Sequence, residues 1–225
     1  MCRLKSVLRL KTINSWQDNN LKKSELGRKN VKICIIDNDG VNLTQLKQQS
    51  YEQVTWETDY TKLDDFKDYD VILCDIKGIG LKFGKKKEGL SVAEEIKKAY
   101  PYKVVLIYSG QNPKDFDPTF NIDDNPFDGF VVKGESTLDL VNELDTYCES
   151  FWNPVKGWKR IESFLRKDNV SNKVIAYLEH EYVDSITHKR DLDIFKIEKS
   201  EIYKYVKKIL EFAAAVISLY NTISG

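Results

Sequence analysis

The chain has 225 residues, 41% of them hydrophobic and including 10 Phe, 12 Tyr and 4 Trp, which suits one domain plus an appendage, or two small domains, with a real core. Its formal net charge is zero but unevenly spread: residues 1–30 carry 8 Lys/Arg against 2 acids, 31–150 carry 14 against 23, and 151–225 carry 13 against 10. The modest charge of the last segment argues against a DNA reader, and four cysteines (Cys2, Cys34, Cys74, Cys148) without C-x-x-C spacing argue against a zinc site or a disulfide framework.

Residues 3–13 suit either an edge strand or a short amphipathic helix, and the polar, Asn/Lys-rich stretch 14–30 reads as a linker, so 1–30 is expected to be a basic N-terminal extension. The start, Met1 to Lys5, has no signal-peptide core, and the apolar run Ile209 to Tyr220 is too short to span a bilayer. A soluble, cytoplasmic chain with no membrane span is expected. From 31 to 150 strand and helix patterns alternate. Four apolar, mostly β-branched runs each end on one chemically useful side chain: Ile33–Asp37, Val71–Asp75, Val104–Ser109 and Phe130–Lys133. Apolar runs of that length read as strands covered on both faces. Val54 and Trp56 suggest one further, shorter strand. Leu43 and Leu46, Leu63 and Phe66, Leu90 to Tyr100, and Leu138, Val141 and Leu144 mark the intervening helices, with Pro101 as a stop signal. Three prolines and five aspartates between Ser109 and Gly129 make a regular helix improbable there. After Phe151 the strand signals cease. Helical spacing recurs at Val155–Leu165, Val174–Ile186 and Ile202–Ala213, with Ser200 a candidate N-cap, which predicts a three-helix module over 151–225.

The fold class expected for 31–150 is therefore α/β, a flavodoxin-like doubly wound five-stranded parallel sheet of order 2-1-3-4-5, followed by an α-helical C-terminal module. In such a sheet strands one and three are neighbours, and chemistry sits outside the carboxyl ends of the strands. Asp37 and Asp75 would then lie close together, where a cation must join them. Mg²⁺ fits, since it takes carboxylates, waters and phosphate oxygens. A nucleophilic Asp beside that ion can attack a phosphoryl donor, with Ser109 bonding one phosphoryl oxygen and Lys133 neutralising another.

With those four strand ends in that order, residues 31–148 resemble the receiver domain of bacterial two-component response regulators. The resemblance implies Asp75 as the phosphoacceptor, Asp37 with Asn38 or Asp39 and the backbone carbonyl of Lys77 as Mg²⁺ ligands, Ser109 and Lys133 as catalytic groups, and Phe130 as the switch aromatic. It also implies a histidine kinase or another signalling protein as partner. The chain departs from the family pattern at Asn38, where a second consecutive acid is usual, at Ile79 and Gly134, where Pro is usual, and in the long loop Gly78–Gly89 with its four lysines. Those departures keep open a pseudo-receiver, an adaptor or scaffold that signals without phosphorylation.

Asp37-Asn38-Asp39-Gly40-Val41 also resembles the first motif of haloacid-dehalogenase-type phosphatases, with Asp37 as nucleophile and Asp39 as acid/base. No acidic pair follows a strand after Lys133, and Asp75 would have no role there. The glycines and lysines of 78–89 lack P-loop spacing, so that loop reads as a solvated insertion whose Lys82 and Lys85–Lys87 could attract an anion. His180 beside Glu179 and Glu181, and His188 in a basic turn, read as surface histidines. Trp152 and Trp158 read as core or partner surface, and the apolar helix around Ala213–Ile217 as buried either within the module or in a homodimer. Protein–protein contact is favoured over nucleic acid.

Overall fold

The computed structural model describes residues 10–16, 24–84, 88–110, 127–134, 136–192 and 203–224. Five strands form one parallel sheet: β1 (Ile33–Ile36), β2 (Val54–Glu57), β3 (Val71–Cys74), β4 (Val104–Ser109) and β5 (Gly129–Val132). Their spatial order is β2-β1-β3-β4-β5, the doubly wound, flavodoxin-like arrangement expected from the sequence. β1 and β3 are buried at every position, which is why their sequences are unbroken apolar runs rather than alternating ones. β2 lies at the edge, and only Val54 of its four residues is buried.

Seven α-helices are described: α1 (Ser24–Asn30), α2 (Leu43–Gln48), α3 (Glu88–Ala99), α4 (Thr137–Trp152), α5 (Pro154–Lys167), α6 (Asn172–Thr187) and α7 (Tyr203–Ser224). The expected helix at Leu63–Phe66 is a single 3-10 turn. The segment Gly129 closes begins outside the described residues, and so do the prolines of 111–126, Lys85–Lys87, Ser200 and residues 1–9.

The residues divide into two compact units, 24–148 and the N-terminal residues taken with 149–225. In the first unit Cys34, Ile36, Ile72, Cys74, Val105 and Ile107 alternate onto one sheet face and pack with Leu90, Val92, Ala93 and Ile96 of α3 and with Tyr60 and Phe66. Asp145 on α4 accepts from Arg28 Nε at 2.8 Å and from the Tyr51 hydroxyl at 2.7 Å, fastening α1 and the start of β2 to that helix. Lys97 Nζ is buried on Asp128 Oδ2 and the Lys103 carbonyl, both at 2.6 Å, so its charge is compensated below α3.

The expected N-terminal extension, 1–30, is thus divided between the two units. Its end, Ser24–Asn30, is helical because Glu25 and Lys29 pair along one face and Arg28 is anchored. Its beginning belongs to the second unit: the Lys11 amide donates to His180 Nδ1 at 3.1 Å, the Ile13 amide donates to Glu179 Oε1 at 2.9 Å, and Lys11 Nζ meets Asp184 Oδ1 at 2.7 Å. Ile13 is buried, and Trp16 meets Tyr220 edge-on at 5.5 Å. The rest of this unit is helical, as expected. Asn153 caps α5 through the amides of Val155 and Lys156, with Pro154 in its first turn. Trp152, Trp158, Tyr182, Phe212, Val216 and Ile217 are buried, so the apolar helix α7 has its partners within the unit. Among the described residues no helix is long and apolar enough to cross a membrane.

Candidate functional site

Parallel pairing sets the ends of β1 and β3 side by side, with Ile36 opposite Cys74. The next residue on each strand is an aspartate. The Asp37 amide extends the ladder to the Glu57 carbonyl, and the Asp75 amide extends it to the Ile36 carbonyl, both at 2.9 Å. Each carboxylate is therefore carried by backbone that the sheet holds rigid. Asp37 is 1% exposed and Asp75 3%.

The two carboxylates share one cation. Lys133 Nζ lies 2.8 Å from Asp37 Oδ2 and 2.7 Å from Asp75 Oδ2. Lys133 follows β5, and its amide donates to the Ser109 carbonyl at 3.0 Å, continuing the β4–β5 ladder to the same rim. Burial works against the ammonium charge, but the hydrogen bonds it donates to Asp37 and Asp75 outweigh it, and its pKa stands above the ordinary lysine value. The ammonium also sits 5.6 Å from the centroid of the Tyr108 ring. Burial, followed by the Asp37 charge, pushes the Tyr108 phenol up, with Lys133 opposing.

A third carboxylate joins these two at the rim. Asp37, Asp39 and Asp75 each offer one carboxylate oxygen, and the three lie within 4.8 Å of one another. An all-oxygen set with an exposed member left open to water suits Mg²⁺ and gives a soft metal nothing to bind. Asp37 Oδ1 accepts the Asp39 amide at 2.9 Å, and Asp75 Oδ1 accepts the Ile76 amide at 2.8 Å, so both carboxylates are oriented by their own turns.

Of the other expected residues, Ser109 is buried at the end of β4, and Phe130 on β5 is partly buried against the core below α3. Lys77 is exposed in the turn after Asp75. Asn38 is exposed too, and its amide lies against Gly78: a Cβ on Gly78 would stand 2.5 Å from Asn38 Nδ2, and Gly78 has φ +80°. The residue in the second acid's place thus packs the two loops of the rim together. Ile79, standing where the family has Pro, is fully buried in the core. Lys82 is exposed.

Four residues here had no functional reading in the sequence. Trp56 donates its indole N–H to the Asp37 carbonyl at 2.6 Å. Glu88 accepts the Gly78 amide, and Asp59 accepts the Gly80 amide at 2.6 Å, so two carboxylates tie down the loop after Asp75. Tyr108 is the fourth, and its place beside Ser109 was the one available signal.

No protein-family profile and no curated protein matches the sequence. Among solved structures the chain is similar to NtrX from Brucella abortus, at 21% identity and a TM-score of 0.44 over 60% of this chain, and it spans 30% of that protein's chain. It is similar to RcsB from Salmonella enterica serovar Typhimurium, whose structure is bound to promoter rprA in the presence of phosphomimetic BeF3-, at 19% identity and a TM-score of 0.38, covering 76% of this chain and 100% of that one. With the same coverage of both chains, it is similar to a response regulator protein from Burkholderia pseudomallei with a phosphorylated aspartic acid, calcium ion and citrate, at 14% identity and a TM-score of 0.38. At such distances the fold is read from this chain's own strand order, β2-β1-β3-β4-β5.

Proposed function

We propose that this chain is an atypical response regulator: residues 31–150 act as a receiver that takes a phosphoryl group on Asp75, and 151–225 form a helical interaction module. The observation that carries this reading is Lys133 Nζ bridging Asp37 and Asp75 at 2.8 and 2.7 Å, at the rim where β1, β3, β4 and β5 all end. Asp75 is the better acceptor because it follows the central strand, β3, one strand from Ser109, whereas Asp37 follows β1, two strands away.

In the reaction an Asp75 oxygen forms a bond to phosphorus while the bond from phosphorus to the donor's leaving group breaks. The electron pair departs with that group, acetate when the donor is acetyl phosphate. Lys133 holds one phosphoryl oxygen, and the Ser109 hydroxyl donates to another. Asp37, Asp39 and Asp75 would hold Mg²⁺, with the Lys77 carbonyl as a further ligand, and the ion would supply positive charge for the phosphoryl oxygens. Ser109 and Phe130 then move toward the phosphate, a population shift that alters what the C-terminal helices contact. A histidine kinase is the natural phosphodonor, in a cytoplasmic setting.

Incubation with Mg²⁺ and acetyl phosphate tests this directly. Intact mass should rise by one phosphoryl group, and Asp75→Ala should abolish the gain. One observation favours a second reading, an adaptor that signals without phosphorylation: Asn38 brings an amide, not a charge, to the rim. No mass gain and no binding of a beryllium fluoride mimic would leave that reading alone. Steady phosphatase turnover that depends on Asp39 would replace both with a hydrolase.

A further inference from the structure

The side chain that sets the acidic turn comes from the neighbouring edge strand. β2 ends at Glu57, whose carbonyl accepts the Asp37 amide, so no further β2 amide is in register to satisfy the Asp37 carbonyl. The Trp56 indole N–H fills that place at 2.6 Å. The outer ring of the indole stands beside the turn, where a Cβ on Gly40 would meet it at 3.7 Å. Trp56 itself is 39% exposed, whereas Trp152 and Trp158 are buried, so core packing does not account for an indole in this position.

Fixing the Asp37 carbonyl fixes the peptide plane between Asp37 and Asn38. From that plane the chain turns so that the Asp39 amide reaches Asp37 Oδ1 at 2.9 Å. The same bond holds the Asp37 carboxylate in the rotamer that puts Oδ2 on Lys133. The indole therefore controls both the direction of Asp37 and the approach of Asp39, two of the three carboxylates that come within 4.8 Å of one another.

We propose that Trp56 is a positioning residue of the cation site, acting through the Asp37 carbonyl to preorganise Asp37 and Asp39 for a divalent ion. This deepens the receiver reading and rests on it for the use of the ion, but not for the binding itself. Without the indole N–H the turn samples other conformations, and apparent affinity falls by the fraction of time the carboxylates are misaligned. The loss of one hydrogen bond of this kind corresponds to about a 2- to 10-fold weaker affinity.

The test uses the full chain with Mn²⁺ as probe, its free concentration read by electron paramagnetic resonance. Trp56→Phe keeps an aromatic side chain but removes the donor together with the outer ring that faces Gly40, and Trp56→Leu removes the aromatic ring altogether. Trp56→Phe should bind Mn²⁺ about 2- to 10-fold more weakly than wild type while its melting temperature stays within about 3 °C, as expected for an exposed edge position. Trp56→Leu should bind at least as weakly as Trp56→Phe. Equal Mn²⁺ affinity in Trp56→Phe and wild type overturns the proposal, as does an absence of Mn²⁺ binding in wild type, or a weakening accompanied by a large fall in melting temperature. Acetyl phosphate labelling of the same wild-type sample keeps the two ideas apart. Weakened Mn²⁺ binding in Trp56→Phe without any labelling of wild type would retain Trp56 as a positioning residue and discard phosphorylation.

Discussion

Replacing Lys133 by Met should destabilise the sheet unit, and divalent cation should reverse the loss. The substitution keeps the stem's volume but leaves Asp37 and Asp75, whose side chains are 2% and 4% exposed, facing each other without a cation. Removing one partner of a buried ion pair costs about 3–5 kcal/mol. The Lys133 side chain is 19% exposed, which lets water take over part of its role, so about 2–3 kcal/mol is the reasonable figure. For a unit of this size that is a fall in melting temperature of roughly 8–12 °C. The pKa of Lys133 is raised above the ordinary lysine value of 10.5, so the pair contributes its full stability below that pH and loses it only as pH rises through the higher folded value. Scanning calorimetry at pH 7.5 and low salt therefore sees the whole effect. Mg²⁺ binding only the native state adds about 2.7 kcal/mol at 100 times its dissociation constant, enough to restore most of the loss. Lys97→Met supplies the control, because Lys97 also compensates a carboxylate, Asp128, but away from the rim. Its gap to wild type should be the same with or without Mg²⁺, because both proteins keep all three rim carboxylates and Lys133 and gain alike from the ion. A Lys133→Met protein that melts within 2 °C of wild type, or Mg²⁺ narrowing both variants' gaps to wild type equally, would refute the reasoning.

Gly89→Ala should cost about 2–4 kcal/mol in urea unfolding, because its Cβ would overlap the Asp75 carbonyl oxygen and lie 2.8 Å from the carbonyl carbon, backbone that cannot yield; a loss under 1 kcal/mol would contradict that close approach. Asp184 has its carboxyl held well below the ordinary range by Arg190 and Lys11, so its contribution to the helical unit is present above pH 3.8 and fades as pH falls below it. Asp184→Asn should accordingly melt lower than wild type at pH 7, with the gap narrowing between pH 3.8 and 2; a pH-independent gap would assign the effect to packing.

The elements that were legible are those whose cause is local. β1 and β3 are buried along their length and β4 at every position but Tyr108, and burial on both faces writes itself as an apolar run. Parallel pairing then requires their ends to share a rim, which is why Asp37, Asp75 and Lys133 could be placed together before any coordinates. β2 was harder, since three of its four residues are exposed and an edge strand needs no apolar run. α4 runs on to Trp152 because Leu144, Cys148 and Phe151 continue the buried stripe past the point where the strand-and-helix alternation ended. What stayed hidden depends on partners far along the chain. The Lys11 amide meets His180 across 169 residues, and the Trp56 indole meets Asp37 across 19, bonds that impose no periodicity on the residues between.

Asn38 shows how the two kinds of information combine. Read as sequence, it is a missing acid, a weakness in a cation site. In the structure Asp37, Asp39 and Asp75 carry a formal −3 and Lys133 returns +1, which leaves −2 at the rim. A divalent cation neutralises that remainder. A fourth carboxylate at position 38 would leave an excess negative charge beside Asp75. The place is used instead for packing, with the amide set against Gly78 where the turn after Asp75 begins. With a divalent cation bound the rim would be charge-balanced, and Asn38 serves to pack the loop after β1 against the turn after Asp75.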